Sequence, residues 1–184
     1  MFCGDIILTM EIISKSLKET ENFARDFLWD LKKNNKKAVV VGLHGNLGSG
    51  KTTFVQFVAQ NLGIKENITS PTFVIEKIYP VKSRKAGILS LSKLFNRASK
   101  IEKENWPKKL IHIDAYRLEK GEELKSLGFE EILNDPKNLI LMEWPENVFD
   151  ILPKNILKLK FEFIDENTRS IKSLNHKNIK SLNH

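Results

Sequence analysis

The chain has 184 residues, a formal net charge of +7 and a single cysteine. That length suits one domain at the usual ~100–200 residues each, and it can bury a core without metals or crosslinks. The lone Cys3 excludes an internal disulfide and a multi-cysteine metal site; no apolar run nears the ~18 residues of a membrane helix and no secretory signal opens the chain, so a reducing cytoplasm is expected.

Met10 offers an alternative start, because recognisable patterning begins near Glu11. Ser16 and Glu19 make a capping box, and Leu17, Thr20, Ala24, Phe27, Leu28 and Leu31 recur behind it at helical spacing, which predicts a first helix to about Lys33. Residues 38–43 are short, β-branched and apolar, as in a buried strand running into a glycine-rich turn. Residues 51–62 read as helix closed by Gly63. Alternation over 73–79 predicts a second strand, ended by Pro80.

The segment 81–109 holds the basic character of the chain: nine Lys and Arg against Glu102 and Glu104, while the remaining 21 basic and 21 acidic residues balance. Such an insert could meet a polyanion or an acidic protein face, and it has helical character over 89–103. Residues 110–114 and 138–143 are further apolar runs, each closing on a carboxylate, as buried strands do. Between them 121–134 is helix-prone but broken by Gly128, with Pro136 at the return turn. Residues 156–164 alternate apolar with charged, predicting a half-exposed strand that pairs with 169–174. The hexapeptide at 171–176 recurs at 179–184, and the end, 175–184, is expected to be a disordered tail.

Gly45, Asn46, Leu47, Gly48, Ser49, Gly50, Lys51 and Thr52 match the phosphate-loop pattern, with a strand before and a helix after. Backbone N–H groups and the partial positive charge of the helix N-terminus converge there on phosphates. Lys51 is placed to reach the β and γ phosphates and the Thr52 hydroxyl to ligate Mg²⁺. A phosphate loop also needs an acidic residue at a neighbouring strand end, and Asp114 and Glu143 both qualify. The fold expectation is α/β: a P-loop NTPase-like three-layer domain, residues 11–174, with a mixed, partly parallel central sheet.

Four segments taken in order carry a narrower resemblance: Gly-Asn-Leu-Gly-Ser-Gly-Lys-Thr-Thr-Phe at 45–54, Ser-Pro-Thr-Phe at 70–73, His-Ile-Asp-Ala-Tyr-Arg-Leu at 112–118 and Glu-Trp-Pro-Glu at 143–146. Over residues 16–164 the chain resembles the bacterial TsaE family of tRNA-modification ATPases. The resemblance implies that Thr52 and Glu143 ligate Mg²⁺, that Asp114 and Lys51 serve ATP hydrolysis, and that residues 46–53, including Thr53, contact the nucleotide with Thr20 near the base. It also implies that 70–73 is a switch-like loop. Ala115 stands where a larger apolar residue is usual, and the insert 81–109 is longer than the family suggests, so its role is not inherited.

The expected function is Mg²⁺-dependent ATP hydrolysis supporting threonylcarbamoyl adenosine formation in tRNA, with a threonylcarbamoyl transferase and its non-catalytic paralogue as partners. Contact with tRNA could run through that complex or the insert. Alternatives are a small-molecule or nucleoside kinase with the insert as lid, and a nucleotide-dependent binding switch. His44 and His112 are read as packed or hydrogen-bonded histidines, Trp144 as either a stacking or a packing ring, and Arg117 as either a phosphate ligand or a salt-bridge partner.

Overall fold

The computed structural model describes residues 10–82 and 106–174. Cys3, the expected helix over 89–103 with most of the basic insert, and the tail from 175 lie outside the described residues. Seven strands form one sheet: β1 Met10–Ser14, β2 Val39–His44, β3 Glu76–Pro80, β4 Lys109–Asp114, β5 Asn138–Glu143, β6 Leu157–Phe163 and β7 Arg169–Ser173. Their order is β1-β7-β6-β2-β5-β4-β3. The central four run parallel, and β1, β7 and β3 are added antiparallel at the two sides. The sheet is therefore mixed and partly parallel, as the sequence predicts.

Alternation along the strands divides the interior into two layers. Val39, Val41 and Leu43 of β2 face α1 (Leu17–Asp30) and α2 (Lys51–Asn61) with Leu139 and Leu141 of β5. Val40, Ile140 and Met142 face the other way, against α3 (Gly121–Lys125), α4 (Phe129–Asn134) and the 3₁₀ segment Pro145–Ile151. On the first face Phe54 is fully buried, with the rings of Phe23, Phe27 and Phe161 at 5.8, 5.5 and 5.4 Å from its own. Truncating such a ring to alanine costs ~3–5 kcal/mol, so this cluster clamps α1 and α2 to the sheet.

Helix α1 begins at the expected cap: Ser16 Oγ accepts from Glu19 N at 3.2 Å, and Glu19 reaches back to Lys15 N at 2.7 Å. It stops at Asp30, short of Lys33, because Leu31 turns extended and is 1% exposed in the core. The strand expected over 73–79 begins only at Glu76. Its first residues instead form a turn in which Val74 N and Ile75 N both donate to Pro71 O, at 2.9 and 2.6 Å. Ile75 takes φ 66°, a left-handed conformation that costs a β-branched residue on the order of 1–3 kcal/mol. Gly128, at φ 84°, splits the predicted helix into α3 and α4. Neither β1 nor the 3₁₀ segment was expected from the sequence.

Candidate nucleotide site

Strand β2 delivers the chain to the carboxyl end of the sheet, where residues 45–50 turn into α2. Two glycines are required there by space and angle. A Cβ on Gly45 would lie 2.2 Å from Phe161 O, and Gly50 caps α2 at φ 99°. The turn leaves the first amides of α2 facing a cleft of about 510 Å³, as a phosphate site needs.

Lys51, the first residue of α2, is 4% exposed. Its ammonium donates to Gly45 O at 2.7 Å and Asn46 O at 3.0 Å, and lies 4.2 Å from the centre of the Trp144 ring. Burial lowers its pKa, opposed by the charges of Glu143, Asp114 and Glu146. Thr52 Oγ1 donates to Glu143 Oε1 at 2.8 Å, and His112 Nε2 contacts the same oxygen at 2.9 Å. Since that oxygen already receives the Thr52 hydroxyl, His112 serves it best as the Nε2–H tautomer; its Nδ1 has no partner.

Asp114 and Glu143 are register partners on the parallel pair β4–β5, so both carboxylates project from one face at one end of the sheet. They differ in company. Asp114 Oδ2 receives the hydroxyls of Ser70 and, at 2.5 Å, Thr72, while its Oδ1 receives Tyr116 N at 3.0 Å. Ser70 Oγ and Thr72 Oγ1 are themselves 2.6 Å apart, so two hydroxyl hydrogens serve three close oxygen pairs. The loop 70–75 is thus fastened to Asp114, and Asp114 N in turn donates to Ile75 O at 2.9 Å.

The cleft gathers Leu47, Gly48, Ser49, Gly50, Lys51, Thr52, Thr53, Asp114, Glu143 and, on its far wall, Thr20. Asn46 is the exception: it is exposed, off the cleft lining, and contributes its carbonyl to Lys51. The Thr20 hydroxyl is engaged with Ser14 Oγ at 2.7 Å. The Ser49 hydroxyl, buried in the loop, lacks a protein partner. His44, half-buried, is hydrogen-bonded as expected, its Nδ1 2.8 Å from Glu146 Oε2. Trp144 lies against Tyr116, ring centres 5.1 Å apart, and takes φ 58°. Arg117 makes neither a phosphate-loop contact nor an ion pair among the described residues; its guanidinium sits 5.7 Å from the Phe73 ring.

Sequence reasoning missed Arg169. It lines the same cleft from β7, within 4.0 Å of where a Gly50 Cβ would be, with Phe163 under its guanidinium at 4.5 Å. No local motif marks it; only the β6–β7 hairpin brings it to the loop.

The residues present suit Mg²⁺. Thr52 and Glu143 offer two hard oxygens side by side, and Mg²⁺ is normally held by one or two carboxylates plus waters and substrate phosphates. No group of three or more His, Cys, Asp or Glu able to hold a metal occurs among the described residues, so the arrangement fits a phosphate-assisted ion rather than an all-protein cage. No helix of the described residues is long and apolar enough to cross a membrane.

The family model described as "Threonylcarbamoyl adenosine biosynthesis protein TsaE" matches residues 14–171. A Rickettsia typhi protein named "tRNA threonylcarbamoyladenosine biosynthesis protein TsaE" is 36% identical over 163 residues, covering 87% of this chain and 92% of that protein. A Borreliella burgdorferi protein of the same name is 32% identical over 151 residues, covering 82% and 89%. Among solved structures, Bacillus subtilis YdiB aligns with a TM-score of 0.63 at 21% identity, covering 95% of this chain and 92% of that one; at that identity the likeness speaks for the fold alone.

Proposed function

The chain belongs to the TsaE family of threonylcarbamoyl adenosine biosynthesis proteins, and we propose that within that tRNA modification it acts as a Mg²⁺-dependent ATPase in the cytoplasm. The observation that carries this reading is the pairing of Thr52 with Glu143 at the mouth of the phosphate loop, with Asp114 one strand away. Thr52 and Glu143 are the residues to hold Mg²⁺, which when bound offsets the charge of the β and γ phosphates. Lys51 exchanges the Gly45 and Asn46 carbonyls for phosphate oxygens. Asp114 orients a water for attack on the γ-phosphorus and accepts its proton as the bridging oxygen leaves with ADP. Arg169 and Thr20 flank the remainder of the nucleotide.

The hydroxyls of Ser70 and Thr72 occupy Oδ2 of Asp114 and must give it up before that oxygen can receive the proton of the water. The adjoining Phe73 and Val74 are 88% and 58% exposed, so a partner pressing on these apolar side chains has direct purchase on the loop that covers the carboxylate. Turnover is therefore slow in the isolated protein and set by its partners, a threonylcarbamoyl transferase and its non-catalytic paralogue. Coupling requires that ATP and ADP forms differ in affinity for that pair. The test measures phosphate release with and without the pair, and assembly affinity with ADP against a non-hydrolysable ATP analogue. Faster release and tighter assembly with the ATP analogue are expected; indifference of both quantities refutes the reading.

A further inference from the structure

A second cleft, of about 520 Å³, lies at the opposite end of the sheet, between the chain leaving α1 and the chain leading into β6. Lys32, Lys33, Lys37 and Lys154 line it together with asparagines, and no carboxylate does. Its floor is fixed: Ala38, Val39 and Val40 on one side and Ile156 and Leu157 on the other are buried. The turn that carries Lys37 is held by Asn34, whose Oδ1 accepts from Lys36 N at 2.8 Å and Lys37 N at 3.3 Å. Lys32, Lys37 and Lys154 are exposed and have no ion-pair partner among the described residues, whereas Lys18, Lys125, Lys160 and Lys172 each sit on a glutamate.

We propose that this cleft binds the phosphate backbone of helical RNA. Like charges gathered in a concave surface focus potential on an anion. The cations are lysines, point charges without the planar fork that reads base edges. The lining has no aromatic side chain, so it lacks the stacking platform by which proteins grip unpaired bases. Backbone phosphates of a stem are what remain. The choice of RNA over another polyanion rests on the reading that the protein serves tRNA modification. Strand β2 has six residues, which at ~3.3 Å each separate this cleft from the phosphate loop by roughly 20 Å. RNA and ATP therefore bind without competing.

The experiment uses the full chain and a variant carrying Lys32→Gln, Lys37→Gln and Lys154→Gln, all surface positions. Binding of a short RNA hairpin, of single-stranded oligouridylate and of inorganic tripolyphosphate is followed by anisotropy and competition over a salt series, with ATP-analogue affinity and thermal midpoint measured alongside. The expected result is roughly a tenfold or greater loss of hairpin affinity at low salt, with the slope of log K against log salt flattened by about 2–3, as three phosphate contacts at ~0.9 each require. Lysines within 83–105 contribute equally to both proteins, so the difference isolates the cleft. Unchanged hairpin affinity and slope overturn the proposal. So does a loss confined to oligouridylate, or wild-type binding of tripolyphosphate without the hairpin. A lowered midpoint with intact RNA binding also overturns it, because the lysines then only complement the C-terminus of α1. Loss of hairpin binding with ATP-analogue affinity retained supports the cleft whatever becomes of the ATPase reading, and failed phosphate release with the hairpin effect intact sinks only the latter.

Discussion

Replacing Lys51 by methionine isolates what its ammonium contributes. The side chain is 4% exposed, so an unbranched methionine keeps most of the buried stem and the packing beneath the loop. What disappears is the charge with its two bonds to Gly45 O and Asn46 O and its seat on the Trp144 ring. A triphosphate takes over those donors, so donor count stays nearly constant and the gain on binding is the step from carbonyl to anionic acceptor. That gain is the attraction of unit charges ~3 Å apart, about 1.5–3 kcal/mol at an effective dielectric of ~80 to ~40. At ~1.4 kcal/mol per tenfold, Lys51→Met should weaken ATP roughly 10- to 150-fold. Titration with a fluorescent ATP analogue measures it. The pH profile adds a second arm: because burial lowers the Lys51 pKa, the ammonium is lost at lower pH than on a free lysine. Wild-type affinity should therefore fall early on the alkaline side, while the methionine variant stays flat there. Affinity within about twofold of wild type would refute the assigned phosphate site, since about 1.5 kcal/mol is what the exchange gives even at the dielectric of bulk water.

The two carboxylates should separate. Glu143→Gln is expected to weaken Mg²⁺-dependent nucleotide binding about tenfold or more, while Asp114→Asn binds normally and releases phosphate on the order of 10²-fold more slowly; equal binding losses in calorimetry would make them one metal site and overturn the division. Glu76 offers a stability test. Burial raises its pKa and its Oε2 has no partner, so the charged form is disfavoured in the native state. Its folded pKa lies above its unfolded value, and the penalty is present at neutral pH and vanishes as acid protonates the native carboxyl. Glu76→Gln should accordingly raise the thermal midpoint at pH 7, by ~2–4 °C per kcal/mol relieved, and leave it unchanged below the ordinary glutamate range. A gain of the same size in acid would refute the burial argument.

The phosphate loop was legible because its chemistry is local: glycine spacing, a strand before and a helix after all lie within one stretch of chain. Asp114 and Glu143 were legible as strand-end acids for the same reason. The conformation of 70–75 was not, since residues 73–79 alternate like a strand and only the distant Asp114 carboxylate, with Pro71 O, holds the turn. Strand β1 is five residues long and makes sense only against β7. Arg169 and the cleft lysines are matters of topology. Outside 81–109 the charges balance along the sequence, yet the adjacency of β2 and β6 brings Lys37 and Lys154 to one surface.

The chain has three tryptophans, and their surroundings make one of them a natural optical gauge. Trp106 is 2% exposed and donates to Pro136 O at 2.9 Å, remote from the loop, and Trp29 rides on α1 beside Arg25. Only Trp144 holds its indole over the Lys51 ammonium, with a tyrosine ring on its flank. An indole's emission follows the charges and rings beside it, so drawing Lys51 away alters the light from Trp144 and leaves the other two unchanged. If the cleft takes a nucleotide as proposed, intrinsic fluorescence should report its occupancy in the unlabelled protein in real time, with a Trp144→Phe chain as the dark reference.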